Sequence, residues 1–402
     1  MNTQEKIIKK IKPYIGISGE GPFNYERFLC FDKAPYLDAF VKGIPFSPFE
    51  LEIQMSSRCN LYCKWCIGNQ IQTDKHVLNL PNTLNKDNID RVIDGVLDMK
   101  INGLAIDTVK FSGFIGEPLI QKEATMIAMK KLSNAGIRVG LFTNGVFLTE
   151  DTWETVANID YVHLSLDAGP KSFYWIKENQ AKTPYSQNTY NSIIDNIAGL
   201  NAYRKKTNGK VKINIGYVII VGNHEEIYKT TSIVKNAGAD MIRFKCDITN
   251  RYTSDTEWLD EVFKEIKQAK KDFHSPDFSV ISIHSKKDVE SNSHVNWTCE
   301  KGCLYQYFVA TIGSDGNMYF CDHNTMPGAI PIGNAINNSF GDIWNSPRHK
   351  YLAEGIKYTC QSNVCPPFGN RVNAFLNELV ELREEYGADK VVEALNVIRK
   401  EN

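Results

Sequence analysis

Three cysteines fall within eight residues, Cys59-Asn60-Leu61-Tyr62-Cys63-Lys64-Trp65-Cys66, directly after an apolar, β-rich segment. A four-iron cubane ordinarily takes four thiolates, so three on one tight C-x3-C-x2-C loop leave one iron without a protein ligand. An open coordination position is what a reactive metal centre needs to bind a substrate or cofactor directly. The same run is compatible with a zinc site, which more often pairs two C-x2-C units, or with a group of buried thiols. Five further cysteines, at 299, 303, 321, 360 and 365, crowd the last quarter of the chain, and two stand apart at 30 and 246.

The compartment bears on what these thiols are for. The 402 residues carry 46 basic and 47 acidic side chains, a net charge of −1. That balance argues against a dedicated nucleic-acid binder and leaves a neutral or mixed-charge substrate as the simplest case. No apolar run approaches the roughly 18 residues that span a bilayer, and the basic N-terminus lacks the apolar core of a signal peptide. The chain reads as cytoplasmic, where thiols stay reduced, so ten cysteines need a role other than disulfides.

The elements that must position the first loop alternate regularly. Candidate strands are Glu50–Met55, Thr108–Ser112, Arg138–Phe142, Tyr161–Leu166, Lys212–Ile220 and Met241–Cys246. Between them lie amphipathic stretches at Lys86–Lys100, Gln121–Asn134, Thr189–Lys205 and Glu225–Asn236. Asn134-Ala135-Gly136 and Asn236-Ala237-Gly238 punctuate two helix ends in the same way. This α/β rhythm predicts a parallel sheet with right-handed crossovers, either open or a partial barrel. The rhythm stops near residue 285, giving an N-terminal extension at 1–48, a main domain at 49–284 and a smaller C-terminal domain at 285–402.

The cysteine loop, placed after the first strand, resembles the radical S-adenosylmethionine (SAM) superfamily, whose signature is C-x3-C-x-aromatic-C with Trp65 in the aromatic slot. The resemblance implies a partial (β/α)6 TIM-type barrel in which Cys59, Cys63 and Cys66 bind a [4Fe–4S] cluster. It further implies that the unique iron chelates SAM, that an external electron donor such as flavodoxin or ferredoxin reduces the cluster, and that the resulting 5′-deoxyadenosyl radical takes hydrogen from substrate. Gly113-Phe114-Ile115-Gly116-Glu117-Pro118 resembles the family's Gly-Gly-Glu stretch, which binds the methionine amino group, and assigns Gly116 and Glu117 to the cofactor. Ser165 and Asp167, at the end of the fourth candidate strand, stand where the family contacts the ribose; the competing reading makes Asp167 a helix cap. The segment Val221–Glu226 looks like a worn G-x-I-x-G-x-x-E motif, although Asn223 with Glu226 fits a helix capping box better.

Cys303-x12-Gly316-x4-Cys321 is similar to the opening of the SPASM and twitch auxiliary-cluster domains of the same superfamily. The resemblance implies a second [4Fe–4S] cluster held by Cys303, Cys321, Cys360 and Cys365 in a twitch-like domain, with Cys299 as a spare candidate; a zinc knuckle is the competing reading. His323 and His349 read as surface or core histidines, and Cys30 as packing. Cys246 ends the sixth candidate strand, where a thiol could give a hydrogen atom to a substrate radical or simply pack; Arg243 reads as a cofactor or substrate-carboxylate contact or as a charged strand end. An auxiliary cluster implies an oxidoreductase performing a dehydrogenation or epimerisation. The roughly 48 residues before the first strand are too few for a winged-helix leader-binding domain, which tilts the expected substrate toward a carbohydrate-like or other small metabolite. The alternatives are a peptide or protein substrate and, in another class, a non-catalytic metal-binding structural protein.

Overall fold

The computed structural model describes residues 2–15, 24–66, 83–113, 116–177, 188–246, 258–283, 302–325, 329–356, 360 and 367–401. Twelve strands are found: β1 Glu50–Gln54, β2 Lys100–Ile101, β3 Leu104–Ala105, β4 Thr108–Ser112, β5 Arg138–Thr143, β6 Tyr161–Ser165, β7 Lys212–Ile219, β8 Met241–Cys246, β9 Ser279–Ser282, β10 Val309–Ile312, β11 Asn317–Tyr319 and β12 Gly333–Asn334. All six strands expected from the sequence are present. Ten strands form one sheet in the order β12-β11-β10-β1-β4-β5-β6-β7-β8-β9, and β2 pairs with β3 separately. From β10 through β1 to β9 every pairing is parallel, and among the described residues the two edge strands do not pair, in keeping with the partial barrel.

Two features depart from the strand count. β9 adds a seventh strand beside β8, with Met241 opposite Ser279. On the other edge, β10, which lies in the segment 285–402 assigned from sequence to the smaller C-terminal domain, joins the main sheet, Glu50 opposite Val309 and Ile53 opposite Ile312. Every residue of β10 is buried, as a strand covered on both faces requires.

The crossover helices Ile89–Leu97, Lys122–Asn134, Asn188–Thr207 and Ile227–Ala237 fall on the predicted amphipathic stretches. Gly136 and Gly238 adopt φ of +81° and +93°, the left-handed turn that ends a helix without steric cost when no Cβ is present. The outward residues of the strands (Leu51 and Ile53, Val109 and Phe111, Val139 and Leu141, Val162 and Leu164, Ile242 and Phe244) pack under these helices in one continuous core. A second core joins the two ends of the chain. Ile7, Ile11 and Ile15 of the first helix (Thr3–Ile15), with Leu29, Leu37 and Phe40 of the next two, pack on Phe375, Leu379, Leu395 and Ile398 of helices Pro367–Tyr386 and Ala388–Glu401. No helix among the described residues is long and apolar enough to cross a membrane.

Candidate radical SAM site

Gly113, Gly116 and Glu117 hold the three-cysteine loop from below. A Cβ on Gly116 would lie 2.0 Å from the Ser56 carbonyl oxygen, and one on Gly113 2.0 Å from that of Gly116. Only glycine lets these two loops touch. The Glu117 amide donates to the Arg58 carbonyl at 2.8 Å, joining the loops one residue before Cys59. The Glu117 carboxylate is buried and accepts from the Leu119 amide (3.1 Å), the Thr143 hydroxyl (2.7 Å) and the Asn144 amide (2.8 Å). Burial raises its pKa, and those three donors pull the other way. Glu117 thus ties the ends of β4 and β5 to the cysteine loop.

The loop is organised around its sulfurs. The Leu61 amide donates to Cys59 Sγ (3.4 Å), Asn144 Nδ2 lies 3.7 Å from the same sulfur, and the Cys66 amide closes a turn on the Cys63 carbonyl (3.0 Å). Burial pushes the Cys59 thiol up to about 12 and the Cys63 thiol up to about 11, with the neighbouring cysteines adding to the rise in each case. Desolvated thiols such as these two are poor anions alone but good ligands, because a bound metal deprotonates them outright. Among the described residues no three His, Cys, Asp or Glu side chains are grouped around a single ion; a cubane does not need that, since each thiolate meets a different iron. The buried Asn60 Nδ2 next to Cys59 has no partner in the protein, a donor available to a cluster. The residues present fit the group.

Sequence reading missed Lys177. It ends the short helix Phe173–Lys177, whose backbone carbonyls at 176 and 177 accept from the Lys64 and Tyr62 amides (both 3.0 Å), so this helix and the cysteine loop are one unit. Its ammonium pairs with Asp167 at 2.9 Å, donates to the Ser165 carbonyl at 2.6 Å and lies 5.4 Å from the Trp65 ring centre. It also favours the thiolate of Cys63. Nothing in the local sequence announces this: KSFYWIK reads as an ordinary surface helix.

Asp167 lies past the last residue of β6 at φ +54°, so strand alternation no longer sets its direction. One carboxylate oxygen accepts from the Val218 amide (2.9 Å) and the other pairs with Lys177. The expected capping box at Asn223 is not formed. Asn223 is fully buried and ties the Asp167 and Val218 carbonyls (2.9 and 2.8 Å) to the Ile220 amide (2.9 Å). Glu226 instead accepts from the Lys171 and Ser172 amides (2.9 and 2.8 Å) at the start of the Lys177 helix. Side-chain lengths allowed either arrangement; the close approach of the 167–172 loop decided it.

Cys246 is 4 % exposed and packs on Leu259, Trp258 and Phe263, the helix side of β8. The two-residue period therefore gives the inner face to Arg243 and Lys245. Across the sheet the inner face is polar: Glu50, Glu52 and Gln54 on β1, Lys110 and Ser112 on β4, Tyr161, His163 and Ser165 on β6. Lys110 bonds Glu50 at 2.5 Å, and the Ser112 hydroxyl donates to Glu52. Burial, with Asp322 nearby, raises Glu52 to about 7. An unfolded glutamate titrates near 4.5, so the folded chain holds an extra proton between about pH 4.5 and 7 and loses stability as pH rises through that window. Glu52→Gln should flatten this slope in thermal melts from pH 5 to 8; an unchanged slope would place the titration elsewhere.

In the C-terminal segment, Asn373 Nδ2 lies 3.6 Å from Cys303 Sγ, while its oxygen accepts from the Leu304 and Tyr305 amides (2.7 and 3.0 Å). Burial raises Cys303 and the Cys360 thiol adds to the rise, so these two lie within electrostatic reach of each other. Cys321 borders the second core. Cys299, Cys365 and the His323 side chain lie outside the described residues. His349 is a core histidine, its Nδ1 2.5 Å from the Trp344 carbonyl oxygen and its pKa lowered by burial. Cys30 is fully buried in the second core.

A cysteine loop after the first strand of a parallel sheet, buttressed by a glycine-rich turn after the second, defines a radical SAM protein, and residues 53–230 match the Radical SAM superfamily. Residues 303–366 match the SPASM iron–sulfur cluster-binding domain, so the chain belongs to the SPASM-type radical SAM enzymes. It is 25% identical over 73% of its length, and 81% of the relative's, to the AdoMet-dependent heme synthase of Methanosarcina barkeri. Its fold is similar to that of Streptococcus suis SuiB bound to S-adenosylmethionine (TM-score 0.54, 17% identity, 85% of this chain and 73% of the other). It is also similar to SuiB bound to the precursor peptide SuiA (0.53, 14%, 90% and 82%) and to anSMEcpe with bound AdoMet and Cp18Cys peptide (0.52, 16%, 87% and 99%). SAM and [4Fe–4S] clusters are the cofactors of this family.

Proposed function

We propose that this enzyme abstracts hydrogen from a peptide or protein substrate, ahead of the small-metabolite substrate expected from sequence. When bound, the cluster and SAM supply a one-electron cleavage of the sulfonium that yields methionine and a radical able to take hydrogen from carbon. Cys59, Cys63 and Cys66 would hold that cluster. Lys177 would balance the charge of its thiolates, and Glu117 would fix the loop that faces SAM. Cys303, Cys321 and Cys360, with Cys365, would hold the auxiliary cluster. The observation that carries the peptide reading is the fold likeness to SuiB with its precursor peptide, which extends over 90% of this chain. The inner face supports it: carboxylate, amide, hydroxyl and guanidinium groups line the sheet, a surface that can satisfy a peptide's many polar groups.

A small-molecule substrate is the second reading, favoured by the sequence likeness to AdoMet-dependent heme synthase. The test is anaerobic reconstitution followed by dithionite, SAM and either peptides or small metabolites from the genomic neighbourhood. Peptide-dependent 5′-deoxyadenosine with a matching mass change in the peptide is the expected result. Stimulation by a small metabolite alone would overturn it.

A further inference from the structure

Arg243 is a guanidinium without a carboxylate. Two other partly buried arginines are paired with carboxylates: Arg204 with Asp240 at 2.5 Å and Arg399 with Asp38 at 2.8 Å. Arg243 sits half-buried on the inner face of β8, with His163 Nε2 at 3.4 Å from its terminal nitrogen and the Tyr161 phenol within electrostatic reach. Asp167, the carboxylate whose field reaches it, already pairs with Lys177. A half-buried guanidinium with no carboxylate beside it is stabilised by a ligand that supplies the counter-charge.

The surroundings are built to keep this site cationic and accessible. Gly216 stands opposite Arg243 on β7, and a Cβ there would meet His163 Nε2 at 2.5 Å. Its absence lets the imidazole reach across a whole strand to the guanidinium. Burial, then the charges of Arg243 and Lys245, drive the His163 pKa well below its ordinary value, so the ring is neutral and orients Arg243 without repelling it. On the same face of the sheet, on β1, the buried Gln54 Nε2 also lacks a partner among the described residues.

We propose that Arg243 anchors a carboxylate of the substrate inside the sheet, with His163 as its positioning residue. Resting on the peptide reading, this assigns the substrate an acidic side chain or chain end close to the reacting carbon. A planar guanidinium suits a carboxylate because two parallel N–H donors meet two oxygens.

The test uses the reconstituted, SAM-loaded enzyme and three probes followed by equilibrium binding: N-acetyl-glutamate amide, glutarate and the uncharged N-acetyl-glutamine amide. The expected result is that the glutamate probe binds about tenfold more tightly than the glutamine probe, that Arg243→Gln erases this preference, and that Arg243→Lys retains part of it. SAM affinity, measured separately, should be retained in both variants. His163→Phe should weaken the preference while leaving SAM affinity alone, and Gly216→Ala should do the same by displacing the imidazole. No carboxylate preference in the parent, a preference that survives Arg243→Gln, or a loss of SAM affinity in that variant would each overturn the proposal; the last would hand the guanidinium to the cofactor. Arg243-dependent binding of glutarate with no binding of the glutamate probe would keep the anchor and sink the peptide reading.

Discussion

Replacing Cys59, Cys63 and Cys66 together by alanine should abolish SAM cleavage and remove about four irons per chain from an enzyme that otherwise carries about eight. The three sulfurs share one short loop, already shaped by amides donating to Cys59 and by the Cys63–Cys66 turn, so no other described cysteine can substitute for them. The fold should survive. The loop cysteines are only partly buried, and both hydrophobic cores are built from other residues. Iron analysis, EPR of the dithionite-reduced protein and 5′-deoxyadenosine assay read the result. Retention of all the iron, or any SAM cleavage above background, would contradict the assignment. Loss of all the iron with an intact circular dichroism spectrum would mean that the C-terminal thiols do not hold a cluster of their own.

Replacing Lys177 by methionine should destabilise the protein by about 3–5 kcal/mol, because it leaves the Asp167 carboxylate buried without its cation. The two side chains are 2% and 6% exposed, so water cannot take the place of the lost ammonium. The ordinary objection to salt bridges, that exposed pairs contribute little, does not apply here. Asp167 cannot swing away either, since Val218 holds its other oxygen and its backbone sits at φ +54°. Asp167→Asn in the same background should recover part of the loss: asparagine tolerates that backbone, keeps an oxygen for the Val218 amide and carries no charge. Urea denaturation of the two single variants and the double variant forms the cycle that isolates the coupling. A loss below about 1 kcal/mol for Lys177→Met would show that the pair is effectively solvated. Because the Lys177 helix shares backbone hydrogen bonds with the cysteine loop, the variant should also reconstitute iron more slowly.

Much of the site could be read along the chain because its chemistry is local. A cubane with one open iron takes three thiolates, here on one short loop, and a close-approaching turn demands glycine; both constraints act within a few residues. The crossover helices were legible for the same reason, since one apolar stripe at helical period must face the sheet. The strands carry a signal of the same local kind. A parallel strand covered on both faces should read as a continuous apolar run, whereas Glu50-Leu-Glu52-Ile-Gln54, Tyr161-Val-His163-Leu-Ser165 and Met241-Ile-Arg243-Phe-Lys245 alternate. That alternation marks a sheet with a polar inner face.

Other features were decided in three dimensions. Cys246 and Arg243 are three residues apart at a strand end, and only the phase of the strand against helix Leu259–Phe273 turns the thiol outward and the guanidinium inward. Asn223 and Glu226 have the spacing of a helix cap, yet the 167–172 loop from another part of the chain captures both. Lys177 becomes a buried counter-charge because Asp167 and the cysteine loop close over it. Residues 309–312 join a sheet that begins at residue 50, and residues 7–15 pack on residues 375–398, because apolar faces left open by local structure must find each other across the chain. Local spacing was enough to carry the resemblance to an iron–sulfur, SAM-using family, since metal ligation is set by short-range geometry. Which charges line its interior, and which of them lack a partner, depended on strand phase and on contacts between residues far apart in the chain, and these exist only once the chain is folded.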